Sequence, residues 1–123
     1  NVANRLAHIR TTAPEIWRQT GGRIDGFTCA VGTGGTLAGV ALGLRAERPD
    51  ITIALTDPEG AALYNYFACG ELRAEGSSVS EGIGQSRITG NLDGLTVDAQ
   101  FRVPDAEGLH WVRRLNAEEG LCL

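Results

Sequence analysis

One glycine-rich stretch gives the clearest indication of the fold of this chain of 123 residues: Val31-Gly32-Thr33-Gly34-Gly35-Thr36-Leu37. Residues 24–31, which lead into it, are mostly apolar and contain no proline, which predicts a buried strand. After the glycines, apolar residues recur at the spacing of a core-facing helix, which Pro49 ends. Residues 51–55 then alternate as a second strand, which ends at Asp57-Pro58. Strand, glycine loop, helix and strand form a β-α-β unit, and such units have parallel strands and a right-handed connection.

Further elements extend this unit on both sides. The patterns predict, in chain order, a helix from Thr12 to Gly21-Gly22, a helix over 61–69, a strand over 97–103, a helix from Pro104-Asp105 to Gly120, and the first residues of another strand at 121–123. Residues 71–96 have little periodicity, and structureless stretches of that length are usually functional or disordered. We therefore expect an α/β fold with a parallel sheet that is broken off in mid-element.

The composition excludes several classes of function. The net charge is -4, and no run of basic residues could neutralise neighbouring phosphates of a nucleic acid. No apolar stretch is long enough for a membrane span, so we expect a cytoplasmic protein without a membrane partner. All 11 basic residues are arginine, so no lysine of this chain can supply an amine to a carbonyl group. Cys29, Cys69 and Cys122 have no metal-ligand spacing, and we expect no metal site.

The glycine loop carries the expected chemistry. A loop that follows a parallel strand and opens a helix is where open α/β sheets bind ligands, and the helix N-terminus favours an anion. A P-loop is excluded because it requires a lysine. A dinucleotide fingerprint would place Leu37 at its third glycine, with Asp57 in the position of the ribose-binding acid. A tight turn without a ligand is also possible. A compact ligand with a single phosphate fits a double glycine flanked by threonines better than either.

Residues around the loop have simpler interpretations. Gly39 and Gly43 would let the helix approach the sheet closely. Asp57 would cap the following helix or contact the loop. His8 and His110 have no acid or thiol at ligand spacing, so we expect solvated or packing roles for both.

At this point the sequence resembles a known family, the cysteine synthases (O-acetylserine sulfhydrylases), which are fold-type II enzymes that use pyridoxal 5'-phosphate. The resemblance covers essentially the whole chain. It is carried by five blocks in the family's order: Thr11-Thr12-Ala13-Pro14-Glu15-Ile16-Trp17, Asp25-Gly26-Phe27, Val31 to Gly39, Asp57-Pro58 with Ala61-Ala62-Leu63-Tyr64, and Glu81-Gly82-Ile83-Gly84. Ala13 is a small departure, because the family commonly has glycine there.

The resemblance implies a fold and a site. The fold would be part of a three-layer, parallel, twisted sheet with helices on both faces, truncated here. Residues 1–123 would form part of the large domain, which binds the cofactor phosphate, with no second domain. The phosphate would be bound by Gly32, Thr33, Gly34, Gly35 and Thr36. Gly82, Ile83 and Gly84 would lie beside the cofactor and help to shape the substrate site.

It also implies an activity and partners. The parent enzyme would make L-cysteine from O-acetyl-L-serine and sulfide, as a homodimer and with serine acetyltransferase as a possible partner. The lysine to which the family attaches its cofactor has no counterpart here, so we expect no catalytic residue in this chain and no activity of the chain alone. The alternatives are a related enzyme, either a cystathionine β-synthase or a serine/threonine dehydratase, and a non-catalytic remnant that binds a phosphate ligand.

Overall fold

A computed structural model describes residues 2–123, and Asn1 lies outside the described residues. Within that range the elements are α1 (Ala3–Arg10), α2 (Thr12–Gln19), β1 (Gly26–Ala30), α3 (Gly35–Glu47), β2 (Thr52–Pro58), α4 (Leu63–Cys69), β3 (Ala99–Val103) and α5 (Asp105–Glu119). The strands predicted before residue 121 and the helices α2 to α5 lie where the sequence patterns place them. Residues 121–123 form no strand, so that prediction is wrong.

The three strands form one parallel sheet with β2 in the middle and the order β1-β2-β3. Cys29 of β1 pairs with Leu55 of β2, and Thr56 of β2 pairs with Phe101 of β3. Both pairs of strands are parallel because each connection contains a helix that carries the chain back to the other end of the sheet. The prediction of a parallel α/β sheet with helices is confirmed.

The two faces of the sheet differ because successive side chains of a strand point to opposite sides. Ile53 and Leu55 are fully buried and pack against Leu37 and Leu44 of α3 in one apolar core. The other face, which we call the open face, carries small and polar side chains together with Phe101, which is 54% exposed. Helix α5 borders the open face across a cavity of about 500 Å³, which we call the apolar cavity.

Helix α1 was not predicted, because it has no buried residue and its sequence has no apolar stripe. It packs on α3, and Gly39 is the point of closest approach. A Cβ at Gly39 would lie 2.5 Å from the carbonyl oxygen of Arg5 and from the Cβ of His8. A Cβ at Gly43 would collide with Ala13 of α2. The two glycines therefore bring α3 close to α1 and α2, and the prediction that they serve contact with the sheet is wrong.

The segment between α4 and β3 has no regular secondary structure, as the lack of periodicity predicts. It is nevertheless attached to the core, because Leu92 and Leu95 are buried against the residues of α3 and β2. No helix among residues 2–123 is long and apolar enough to cross a membrane.

The contact at Gly39 can be tested with a pair of glycine substitutions. Gly39→Ala should lower the free energy of unfolding by about 1–3 kcal/mol, because the new methyl group overpacks the α1–α3 contact. Gly108→Ala in α5 is the matched control, since a Cβ there meets nothing within 4 Å. It should raise stability by up to about 1 kcal/mol through helix propensity. Urea unfolding followed by circular dichroism measures both, and equal stability of the two variants would contradict the packing argument.

Candidate phosphate-binding site

Residues 32–36, which we call the phosphate loop, join the buried Val31 at the end of β1 to the first turn of α3. Gly34 has φ +82° and stands at the N-cap of α3, where no side chain makes a capping hydrogen bond. The first N–H groups of a helix have no partner within the helix, and the helix dipole adds partial positive charge there. The start of α3, a helix of 13 residues, is therefore suited to bind an anion.

The glycines of the loop are required by the protein's own packing. A Cβ at Gly32 would lie 2.5 Å from the carbonyl oxygen of Gly82, and one at Gly34 would lie 2.6 Å from Leu92. A Cβ at Gly35 would collide with the side-chain amide of Asn4. Three separate segments of the chain therefore pack against the loop and fix its conformation. A bulky residue at Gly34 would disturb this packing as well as any ligand.

Two exposed hydroxyl groups flank the start of α3. The amide of Asn4 donates a hydrogen bond of 2.7 Å to Thr33 Oγ1, which leaves the hydroxyl proton of Thr33 free to donate. Thr36 Oγ1 lies 3.2 Å from His8 Nε2, and His8 Nδ1 lies 2.8 Å from Thr12 Oγ1. When Nε2 of His8 carries the proton, the hydroxyl proton of Thr36 is also free. Both threonines can then donate to an oxyanion.

The loop is also held through a backbone carbonyl. The hydroxyl of Thr89 donates to the carbonyl oxygen of Thr33 at 2.6 Å, and the amide of the buried Asn91 donates to the same oxygen at 3.0 Å. Sequence reasoning missed Asn4, Thr89 and Asn91, and gave His8 no contact with the loop. All four lie far along the chain from residues 32–36, so periodicity and local spacing carry no signal for them.

The structure brings residues 82–84 beside the phosphate loop. The N–H of Gly84 donates to the carbonyl oxygen of Val31 at 3.0 Å, and Gly82 contacts Gly32 as described above. Gly82 and Gly84 have φ +77° and +80°, so each turn of this segment uses a conformation that favours glycine. Ile83 lines the apolar cavity together with Ala30 and Thr56. The cavity thus lies next to the loop, near the carboxyl ends of β1 and β2, where parallel sheets bind ligands.

Asp57 caps α4. Its Oδ2 accepts a hydrogen bond of 2.9 Å from the N–H of Tyr64, and the side chain is fully buried. Burial raises the pKa of this carboxyl, while the N–H groups of Tyr64 and Leu63 and the charge of Arg102 oppose the rise. The capping interpretation made from the sequence is confirmed.

The remaining reactive groups form no catalytic cluster. Burial raises the pKa of the Cys29 thiol to about 11, so it stays protonated and is a poor nucleophile at neutral pH. Among residues 2–123, no three histidine, cysteine, aspartate or glutamate side chains gather to hold a metal ion.

Comparison with known proteins decides the family. The family model described as pyridoxal-phosphate dependent enzyme matches residues 1–123. The chain belongs to this family. Pyridoxal-phosphate-dependent enzymes use the cofactor that the resemblance implied, and that prediction is confirmed.

Among the relatives of this pyridoxal-phosphate enzyme chain is cysteine synthase 1 of Neurospora crassa, which is 48% identical over 100% of the chain and 34% of its own length. The cystathionine beta-synthase of Oryctolagus cuniculus is 39% identical over 98% of the chain and 22% of its own length. The solved O-acetylserine dependent cystathionine beta-synthase from Helicobacter pylori superposes with a TM-score of 0.85 at 34% identity, over 98% of this chain and 37% of that one. The chain spans about a third of the length of most curated relatives that it matches. The resemblance to the cysteine synthases and the fold class are confirmed.

The site fits the phosphate of the cofactor. Three features of the structure agree with it: the uncapped start of α3, the two threonine hydroxyls, and a loop already shaped by its neighbours. The uncapped N–H groups at a helix N-terminus are donors of the kind that bind a phosphate.

Asp57 and Asp98 should give opposite pH dependences of stability. The folded-state pKa of Asp57 is raised, so its contribution to stability is present below the ordinary value of 3.8 and is lost as the pH rises through the folded-state pKa. Asp57→Asn keeps an oxygen acceptor for the N–H of Tyr64. Because an asparagine does not ionise, the variant does not lose this stabilisation as the pH rises. The variant should therefore gain stability relative to the wild type as the pH rises above the ordinary value of 3.8.

Asp98 is the matched control. The N–H of Ile53 lowers its pKa, with Arg45 contributing, so its stabilisation is present above the ordinary value and is lost as the pH falls. Asp98→Asn should therefore lose stability relative to the wild type over the same range. Urea unfolding at a series of pH values tests both variants, and a parallel response of the two would contradict the assignment.

Proposed function

We propose that this chain is the part of a cysteine synthase that binds the phosphate of pyridoxal 5'-phosphate. The observation that carries the proposal is the uncapped N-terminus of α3 with the hydroxyls of Thr33 and Thr36 beside it. Residues 1–123 are then part of the large domain, which binds the cofactor phosphate. The 48% identity to a cysteine synthase supports this activity in particular.

Each group of residues has a defined task in this proposal. Gly32, Thr33, Gly34, Gly35 and Thr36 bind the phosphate through backbone N–H groups and two hydroxyls. Gly82, Ile83 and Gly84 form the adjoining wall, and Ile83 contributes an apolar surface that excludes water. When bound, the cofactor supplies an electron sink for chemistry at the α-carbon of an amino acid. This chain anchors and orients it.

The activity of the parent protein is part of the same proposal. O-acetyl-L-serine and sulfide would be its substrates, L-cysteine its product, and the cytoplasm its compartment. It would act as a homodimer and could associate with serine acetyltransferase. The chain contains no lysine, so none of its side chains can supply an amine to hold the cofactor carbonyl or to move the substrate proton. We therefore expect the isolated chain to bind the cofactor phosphate without turning over substrate.

One alternative has specific support. A cystathionine β-synthase is favoured by the relatives of that name. The block at residues 11–17 and the higher identity to cysteine synthase 1 favour cysteine synthase. Cofactor-phosphate binding is common to both.

The phosphate loop can be tested with Thr36→Val, which removes one hydroxyl and keeps the shape of the side chain. The probe is pyridoxamine 5'-phosphate, which has no aldehyde to react with the N-terminal amine. Loss of a hydrogen bond to a charged group costs about 1.5–3 kcal/mol, so the dissociation constant should rise about tenfold or more. Isothermal titration calorimetry measures it.

Thr52→Val is the matched control, because Thr52 is exposed on β2 and lies outside the loop. It should leave the dissociation constant unchanged. Pyridoxamine without the phosphate should bind the wild type far more weakly than the phosphorylated probe. Equal binding of the two probes, or of the two variants, would refute the assignment of the phosphate site.

A further inference from the structure

A second cavity, of about 410 Å³, adjoins the phosphate loop at Thr33. It shares no lining residue with the apolar cavity. We call it the Arg87 cavity, and its lining is Asn4, Thr33, Arg87, Ile88, Thr89 and Asn91. Five of these six side chains are polar, none is acidic, and one carries a positive charge.

Arg87 carries the positive charge of this cavity. It is exposed, and within residues 2–123 its guanidinium makes no hydrogen bond or ion pair. The chain as a whole is acidic, with a net charge of -4, yet no carboxylate lines this cavity. A guanidinium carries five N–H donors in a planar fork, which matches the oxygens of a phosphate or carboxylate.

The wall that carries Arg87 is fixed in place. Thr89 and Asn91 both donate to the carbonyl oxygen of Thr33. From the other side, the guanidinium of Arg5 donates to the carbonyl oxygens of Asn91 and Asp93 at 3.1 and 2.9 Å. The segment that follows Arg87 is thus tied to both the loop and α1. Because this backbone wall is formed before the ligand arrives, the side chain of Arg87 is the part of the site that has to be ordered on binding.

We propose that the Arg87 cavity binds an anionic group, a phosphate or a carboxylate, of a small molecule that lies next to the cofactor. Arg87 pairs with the anion, and the hydroxyl of Thr33 stands between this cavity and the phosphate loop. If the proposed function holds, on which this step rests, the anion belongs to a substrate or product. Arg87 then selects for molecules with a negative charge at that position.

The test uses the full chain and two separate probes, inorganic phosphate and acetate, which distinguish a phosphate ligand from a carboxylate ligand. The phosphate loop is first saturated with pyridoxamine 5'-phosphate, so that an added anion reports on the second cavity. Nuclear magnetic resonance shifts of Thr33, Arg87 and Thr89 follow the titration. Arg87→Gln should weaken anion binding about tenfold or more, because the charged partner is lost. Arg18→Gln, at an exposed arginine of α2, should bind the anion as the wild type does.

Each remaining outcome is decisive. The proposal is overturned if neither anion binds the wild type at millimolar concentration, or if the anion that binds does so equally well to Arg87→Gln. It is also overturned by shifts that reveal an adventitious surface ion only. If Arg87→Gln loses pyridoxamine 5'-phosphate by the same factor, Arg87 belongs to the cofactor site, so the separate subsite is wrong while the proposed function stands. If pyridoxamine 5'-phosphate fails to bind at all and anion binding still depends on Arg87, the subsite stands and the proposed function fails.

Discussion

The close packing of α1 on α3 is the constraint on which the site depends. Gly39 allows this approach, and Gly35 allows the side chain of Asn4 to lie against the first turn of α3. Asn4 and His8 then reach the two threonine hydroxyls from one side. Because α1 has no buried residue of its own, its position is set by this contact rather than by a hydrophobic stripe. The same glycines that permit helix packing therefore also place the donors that orient the phosphate loop.

The two faces of the sheet differ in how they are packed. Apolar packing is concentrated on the face that meets α3, where Ile53 and Leu55 have no exposed surface. The open face carries Phe101 at 54% exposure, and Val112 of α5 lines the cavity between helix and sheet. The segment 82–84 crosses the end of this cavity and is bonded to Val31. The phosphate loop and the apolar cavity thus lie at neighbouring ends of the same strands.

Predictions from the sequence were correct where the interacting residues lie close together in the chain. The β-α-β unit, the helix ended by Pro49 and the capping role of Asp57 each depend on residues close together in the chain, and all were predicted. Helix α1, the partners of Thr33 and the true role of Gly39 depend on contacts between distant segments. Asn91 is 58 residues away from the carbonyl that it holds, and no spacing rule joins two such positions. A glycine in the sequence predicts a close approach between two segments, but it does not indicate which segment lies opposite.

The net charge of the chain differs from the local charge at the phosphate loop and at the Arg87 cavity. A protein with a net charge of -4 has no general attraction for phosphate, so any affinity must come from local donors. In the phosphate loop these donors are backbone N–H groups, whose partial charge does not appear in a count of basic residues. In the Arg87 cavity the donor is a side chain that is unpaired within residues 2–123, on a segment pinned by Arg5. The proposed anion binding by this acidic, lysine-free chain therefore depends on local geometry, which glycine residues make possible by letting distant segments meet.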